Sequence, residues 1–334
     1  AQGKFTRAFS YSTPTTGCYE EGLDYFYDGY YTDKAIEAIR RRDPQKPFLL
    51  NAMYLAPHPP FDIPEPWYSK IEEVTLPGNV GVWYENQSPL QMYNLTGVIG
   101  SRYTRKEWEE TWKVYLGLVN LLDECVGKII EELKEQEIYD NSLIIFTSDH
   151  GEMLGSHQLF QKMCMYEESV KTPLFIKFPK GFEYGKQKID NLVSGIDVFP
   201  TLCDYLNLKP SHKMDGQSLM PLILGKETET KRKEVYIQFD GNGARSNFQR
   251  CILKDGYKLI IDLFKDEQYL ELYCVETDFM EQDNLIFKEA YDQRAREMLD
   301  LLFRHMKNTG DMQTPRDIEI KEFRDHYLKA CGKL

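Results

Sequence analysis

The chain has 334 residues and a formal net charge of −12, with 41 lysines and arginines against 53 aspartates and glutamates. This length suffices for one large domain and a smaller one, and the acidic balance argues against nucleic acid as a partner, because nucleic-acid binding needs a basic surface. No transmembrane segment is predicted, since no long unbroken apolar run occurs, and seven scattered cysteines without a CxxC pair indicate neither a zinc site nor a disulfide framework.

The first hundred residues predict one helix and one strand. The stretch to about Gly29 has no clear period and predicts a loop. Residues 31–44, YTDKAIEAIRRRDP, predict a helix, because apolar residues recur at helical spacing behind a Thr-Asp cap and a proline follows. Residues 46–61, KPFLLNAMYLAPHPPF, predict a buried strand that leads into a proline-stiffened loop carrying His58. Residues 65–104 predict a long loop beside a cleft.

The middle of the chain predicts alternating helices and strands. Residues 104–141 have the apolar period of a long amphipathic helix. SLIIFTSDHG at 142–151 predicts a strand, TPLFIKFP at 172–179 a buried strand, and SGIDVFPTLCDYLNL at 194–208 a short helix. This alternation predicts an α/β fold with a mostly parallel sheet flanked by helices, occupying residues 1–225.

The last part of the chain has a different pattern. After the charged stretch GKETETKRKE, the segments EVYIQFDG, FQRCILKDGYKLIIDL and YLELYCVETD are typical of strands separated by turns, and a helix follows near 288–307. Residues 226–334 therefore predict a small antiparallel α+β subdomain with a terminal helix.

Residues able to carry chemistry follow the predicted strands of the larger domain. Asp149 and His150 come directly after one strand and His58 after another, and in parallel sheets ligands bind at the carboxyl ends of strands. A carboxylate and an imidazole can bind a divalent cation, although Asp-His-Gly alone equally suits a structural turn. GSHQLFQK adds His157 and Lys162. Together these groups suit the binding and cleavage of a small oxyanion ester.

At these motifs the sequence resembles the type I sulfatases of the alkaline phosphatase superfamily. The resemblance covers about residues 31–286, through TDKAIEAI, FLLNAMYLAPHPPF, VNLLDECVGKIIEEL, LIIFTSDHGEMLGSHQLFQK, YEESVKTPLFIKFP, IDVFPTLCDYL and LELYCVETDFMEQDNL, in the family's order. It implies hydrolysis of a sulfuric ester, a sulfated sugar as the substrate, a calcium ion, a formylglycine nucleophile, and a periplasmic or secreted location. Residues 1–225 then correspond to a partial sulfatase catalytic domain.

The resemblance also implies roles for individual residues. Asp149 and His150 become ligands of the active-site calcium, which binds the sulfate oxygens. His58 contacts sulfate and protonates the leaving oxygen, and Lys162 contacts sulfate and stabilises developing charge. The competing interpretations are a loop histidine bonded to backbone for His58 and a surface lysine for Lys162.

Three further residues have weaker predictions. His157 is placed next to the site or in a purely structural position, and the two interpretations weigh equally. Arg245 and Arg250 are predicted either to reach the substrate from the small subdomain or to lie in a solvated loop.

The family's nucleophile motif, C/S-x-P-x-R, is absent from these 334 residues. The nearest string, STPTT at 12–16, has Thr16 where Arg belongs. The early pair of aspartates that completes the calcium shell is also absent, so the resemblance implies a sulfatase without its N-terminal portion. We expect this chain alone to bind calcium weakly, to turn over little or no substrate, and to self-associate through exposed apolar sheet edges.

Two other functions stay open at this point. One is a phosphate or phosphonate ester hydrolase of the same superfamily, which the identity of the nucleophile distinguishes from a sulfatase. The other is a noncatalytic glycan-binding remnant, which has no need of all four residues His58, Asp149, His150 and Lys162.

Overall fold

The computed structural model describes residues 13–241, 247–313 and 315–333. The helices are α1 Tyr27–Arg41, α2 Leu95–Gly100, α3 Arg105–Glu135, α4 Glu167–Val170, α5 Val198–Tyr205, α6 Met220–Ile223, α7 Asp292–Thr309 and α8 Ile320–Ala330. The strands are β1 Thr16–Cys18, β2 Phe61–Ile63, β3 Ile144–Thr147, β4 Leu174–Lys177, β5 Glu234–Phe239, β6 Phe248–Lys254, β7 Tyr257–Phe264 and β8 Glu267–Cys274. Within these ranges, no helix is long and apolar enough to cross a membrane.

The two long helices form the frame of the larger domain. Helix α3 begins at a capping box in which Thr104 and Glu107 bond each other's backbone amides, and its apolar stripe buries Trp108 and Leu121 completely. Helix α1 packs along α3, and the Arg40 guanidinium donates hydrogen bonds from Nε and Nη2 to both carboxylate oxygens of Glu132 across the contact. The predicted helices at 31–44 and 104–141 are therefore confirmed, although α1 begins four residues earlier, at Tyr27.

Two small sheets stand where a mostly parallel sheet was predicted. Strand β1 pairs in parallel with β2, and β3 pairs antiparallel with β4. The α/β class and the strands at 142–151 and 172–179 are confirmed. Among the described residues, however, parallel pairing is limited to β1 and β2.

The buried strand predicted in residues 46–55 is wrong for this structure. No strand forms in that segment, and the side chains of Leu49 and Met53 are 92% and 73% exposed. A strand needs a neighbour to pair its backbone groups, and none of the described residues pairs with this segment. Strand β4 is likewise less buried than predicted, since Phe175 is 67% exposed.

The C-terminal sheet is antiparallel, as predicted, and its strand order is β5-β6-β7-β8. Strands β6, β7 and β8 bury most of their side chains, and α7 covers the sheet with Met298, Leu299 and Leu302. Helix α8, which the sequence analysis did not identify, adds Phe323 to the same core. The domain boundary at residue 225 stays a prediction.

Buried polar groups join this sheet to the rest of the chain. The Lys258 ammonium is fully buried and lies 2.7 Å from Glu167 and 2.8 Å from Glu281. On the neighbouring strand, Glu271 accepts hydrogen bonds from the Tyr166 hydroxyl at 2.7 Å and the Ser88 amide at 3.0 Å. Both carboxylate clusters therefore hold segments of the larger domain against the C-terminal sheet.

We expect the stability of this contact to depend on pH. Burial raises the pKa of Glu271 to about 8 and that of Asp262 to about 6. A carboxyl whose pKa is raised on folding stabilises the protein at low pH, and this contribution is lost as pH rises through the folded pKa. The free energy of unfolding, measured with urea, should therefore decrease between about pH 5 and pH 8. In the Glu271→Gln variant this decrease should be smaller by about 1–3 kcal/mol. The exposed Glu267→Gln is the matched control, and equal pH profiles for both variants would contradict the prediction.

We also expect the chain by itself to self-associate. Leu49, Phe175 and Phe199 are more than half exposed, and exposed apolar groups near unpaired strand edges favour association. Sedimentation velocity should show a mass that grows with concentration, and Leu49→Ser combined with Phe175→Ser should shift the species toward monomer. The control variant Met312→Ser, which also replaces an exposed apolar side chain, should leave the distribution of sedimenting species unchanged. A monomer at every concentration tested would refute this expectation.

Candidate active site

The turn after β3 places Asp149 and His150. The amide of Gly151 donates to the Ser169 carbonyl oxygen at 2.7 Å, which fixes the turn against α4. A Cβ atom at Gly151 would lie 2.0 Å from the Glu168 carbonyl oxygen, so only glycine permits this approach.

The Asp149–His150 pair presents one carboxylate and one imidazole nitrogen. The Nδ1–H of His150 donates a hydrogen bond to the Gly151 carbonyl oxygen at 2.8 Å, so the lone pair of the neutral ring is on Nε2. That Nε2 atom is 3.5 Å from Asp149 Oδ2, and the Asp149 side chain is 86% exposed. Two such groups can contribute to a cation site.

The pair alone does not complete a calcium shell. Calcium takes six to eight oxygen ligands, and in the described part of the chain no group of three or more histidine, cysteine, aspartate or glutamate side chains is placed to hold a metal ion. Asp149 and His150 therefore fit a cation only as part of a larger ligand set.

His58 lies on the loop that precedes β2, with its ring oriented by backbone. Its amide donates to the Leu55 carbonyl oxygen at 2.8 Å, and its Nδ1–H donates to the Pro59 carbonyl oxygen at 2.6 Å. Nε2 therefore carries the lone pair, and Lys162 Nζ donates to it at 2.9 Å. Burial lowers the pKa of His58 below its ordinary value, and the positive charge of Lys162 acts in the same direction. The lowered pKa favours the neutral imidazole, whose Nε2 accepts the hydrogen bond from Lys162 Nζ.

The loop that ends at Lys162 is closed by a carboxylate that the sequence analysis did not identify. Glu152 Oε1 accepts hydrogen bonds from the Gln161 amide at 2.5 Å and the Leu154 amide at 3.3 Å. The Ser169 hydroxyl donates to the Lys162 carbonyl oxygen at 2.5 Å. Burial raises the pKa of Glu152 to about 7, against the opposing charge of Lys162. Its position directly after Asp-His-Gly was the sequence signal available.

Four of the predicted residues thus come together. Lys162 contacts His58, the rings of His58 and His150 have centroids 6.4 Å apart, and Asp149 lies beside His150. A cationic donor, a neutral imidazole and a carboxylate-imidazole pair therefore face a common region, which suits an anionic ester.

His157 is placed elsewhere, in the packed interior. Its ring is fully buried and stacks on Tyr166 with centroids 4.0 Å apart. Its nitrogens lie 3.2 Å from Gln87 Oε1 and 2.9 Å from the Met280 carbonyl oxygen. Burial lowers the pKa of His157 to about 3, so the ring is neutral. These contacts favour the structural interpretation.

Arg250 has no donor left for a substrate. Its five N–H groups bond the carboxylates of Asp311 and Asp240 and the carbonyl oxygens of Phe239 and Gln249. The side chain is almost wholly buried, so neither the solvated loop nor the substrate contact describes it. Arg245 lies outside the described residues.

Two family models match the chain. The model described as Sulfatase matches residues 2–208, and the model described as N-sulphoglucosamine sulphohydrolase, C-terminal, matches residues 155–308. The first covers more than half of the chain.

Curated relatives include known sulfatases. An arylsulfatase of Clostridium perfringens is 28% identical over 93% of this chain, and an N-acetylglucosamine-6-O-sulfatase of Bacteroides thetaiotaomicron is 29% identical over 61%. The multifunctional alkaline phosphatase superfamily protein PehA of Trinickia caryophylli is 32% identical over 63%. The chain spans 64%, 37% and 44% of the lengths of these three proteins, in that order.

Solved structures share the fold. One is a protein in complex with its substrate D-glucosamine-2-N,6-O-disulfate, with a TM-score of 0.72 and 23% identity, covering 86% of this chain and 71% of that one. Another is the phosphonate monoester hydrolase of Agrobacterium radiobacter, with a TM-score of 0.73 and 24% identity, covering 89% and 63%. Together with the family models, these likenesses show that the chain belongs to the sulfatase family, as a type I sulfatase of the alkaline phosphatase superfamily.

Proposed function

We propose that this chain carries part of the active site of a sulfuric-ester hydrolase that removes sulfate from a sulfated sugar. The observation that carries the proposal is the 2.9 Å contact between Lys162 Nζ and His58 Nε2, beside Asp149 and His150, in a member of the sulfatase family. The nucleophile comes from residues other than these 334, because no C/S-x-P-x-R occurs among them. By this proposal the chain alone is inactive.

The geometry suits two steps of ester cleavage. A sulfate ester is an anion, so it favours a site with the Lys162 ammonium and stabilises the protonated form of His58. When the nucleophile, which these residues do not supply, forms a bond to sulfur, the bond between sulfur and the sugar oxygen breaks. The sugar oxygen is the leaving group and needs a proton, and His58 Nε2 is the nitrogen that can hold and deliver it. The Lys162 ammonium stabilises the negative charge of the sulfate group that is transferred.

Asp149 and His150 have a supporting role in this proposal. They contribute two ligands to a Ca²⁺ site whose remaining ligands come from residues outside the described part of the chain. When bound there, the ion would supply positive charge that favours an anionic ester.

The substrate class rests on relatives. A Bacteroides thetaiotaomicron relative is an N-acetylglucosamine-6-O-sulfatase, and a protein of the same fold binds D-glucosamine-2-N,6-O-disulfate. Sulfated glucosamines are therefore the first substrates to test. A periplasmic or secreted location is part of this proposal and is supported by the family resemblance alone.

Two alternatives remain. A phosphonate or phosphate ester is favoured by the likeness to the Agrobacterium radiobacter phosphonate monoester hydrolase. A noncatalytic glycan-binding remnant is the other alternative, and a glycan affinity that is insensitive to His58→Ala and Lys162→Ala would support it.

We expect His58 and Lys162 to be needed for sulfate release by the full-length protein. His58→Ala and Lys162→Met should each lower kcat by about 10²–10⁴-fold, because each removes a proton donor or a charge that acts at the sulfate group. Release of inorganic sulfate from glucosamine-6-sulfate measures the effect. His326→Ala and Lys171→Met, at exposed positions, are the matched controls. A His58→Ala enzyme with more than half of the original kcat would refute the assignment.

Calcium affinity tests the incomplete ligand set. By isothermal titration calorimetry, this chain alone should bind Ca²⁺ with a Kd of about 1 mM or weaker, because the described residues supply only Asp149 and His150 as ligands in this proposal. The full-length protein should bind at least about tenfold more tightly, and Asp149→Asn should abolish that gain, whereas the exposed Asp190→Asn should not. Micromolar binding by the chain alone would contradict the prediction.

A further inference from the structure

A buried carboxylate in the first turn of α1 holds the loop that carries His58. Asp28 is 1% exposed, and its Oδ1 accepts hydrogen bonds from the backbone amides of Leu55 at 2.8 Å and Ala56 at 3.2 Å. Both amides belong to residues just before His58. The segment itself forms no strand, so these two amides have a side-chain partner instead of a neighbouring strand.

The chain of contacts from Asp28 to the site is short. The Leu55 carbonyl oxygen accepts the His58 amide in a tight turn, at 2.8 Å. His58 Nε2 in turn accepts from Lys162 Nζ. A shift of Leu55 therefore moves the His58 ring relative to Lys162.

The anchor itself is rigid. Asp28 sits on a 15-residue helix that packs on α3. Its carbonyl oxygen accepts the Thr32 hydroxyl at 2.6 Å, and the same hydroxyl lies 3.1 Å from the Tyr54 hydroxyl. Tyr54 precedes Leu55, so the helix holds the segment at two successive places.

The burial of the Asp28 carboxylate does not by itself stabilise the fold. Asp28 Oδ2 is buried and has no hydrogen-bond partner, and a buried carboxylate with an unpaired oxygen destabilises a fold. The amino end of the helix offsets part of this cost. What the carboxylate supplies is one acceptor atom shared by two consecutive amides, which fixes the path of the backbone toward His58.

We propose that Asp28 is a positioning residue that sets the location of the His58 ring through the Leu55 and Ala56 amides. The effect of Asp28 on catalysis rests on the proposed function of His58. The effect of Asp28 on the position of the His58 ring follows from the contacts described above.

The geometric part is tested on this chain by amide hydrogen exchange. Asp28→Ala should increase the exchange rates of the Leu55 and Ala56 amides by about tenfold or more, because both lose their acceptor, and it should shift the ring ¹⁵N resonances of His58. Asp28→Asn keeps one acceptor oxygen without the charge and should give an intermediate increase with an unchanged circular dichroism spectrum. If Asp28→Ala does not fold, the exchange rates and His58 resonances of Asp28→Asn decide whether Asp28 positions the His58 ring. Asp33→Ala, at an exposed position of the same helix, should change neither observable.

The catalytic part is tested on the full-length protein. Asp28→Ala, or Asp28→Asn to a smaller extent, should lower kcat for sulfate release by at least about tenfold while KM changes by less than about threefold, because a misplaced proton donor slows the chemical step more than binding. Unchanged exchange and unchanged His58 resonances in both variants would overturn the inference, as would altered exchange with unaltered kcat. If the unmodified full-length protein releases no sulfate, the proposed function fails, and the exchange and resonance data still decide whether Asp28 positions His58.

Discussion

The contact between Lys162 and His58 joins two loops that are 104 residues apart in the chain. The 2.9 Å distance lies within the range of a normal hydrogen bond, and such a contact forms only when the two loops hold the side chains next to each other. Each loop is fixed by a carboxylate that accepts hydrogen bonds from two backbone amides: the buried Asp28 on the His58 side and Glu152 on the Lys162 side. The rest of the site depends on this pair of supports.

The C-terminal subdomain provides the base for the Lys162 side. Lys258 is fully buried on β7 and donates to the Met165 carbonyl oxygen, three residues after Lys162. Tyr166, next in the chain, is held by Glu271 of β8 and covered by the ring of His157. Removing one partner of a buried charge pair of this kind is strongly destabilising, because the other charge is left buried without compensation. The antiparallel sheet is therefore part of the foundation of the site.

Local pattern predicted the elements whose residues repeat with a clear period. Helix α3, strand β3 and the C-terminal sheet follow directly from apolar spacing, and the end of β3 located Asp149 and His150. The segment at 46–55 has an equally apolar composition, but none of the described residues pairs with it as a strand. Composition alone therefore predicted a strand that does not form. His157 and Arg250 could not be placed from sequence, because Met280 and Asp311, which bond them, lie 123 and 61 residues further along the chain. Asp28 was equally hidden, since an acidic residue in the first turn of a helix is common.

The identity of the ester tests the proposed activity most directly. We would measure kcat/KM of the full-length protein for para-nitrophenyl sulfate and for the para-nitrophenyl ester of phenylphosphonic acid under the same conditions, with calcium present. A sulfatase should hydrolyse the sulfate ester at least about tenfold more efficiently, which corresponds to about 1.4 kcal/mol of differential transition-state stabilisation. A higher value for the phosphonate ester would contradict the assignment as a sulfuric-ester hydrolase and make the phosphonate hydrolase the better description.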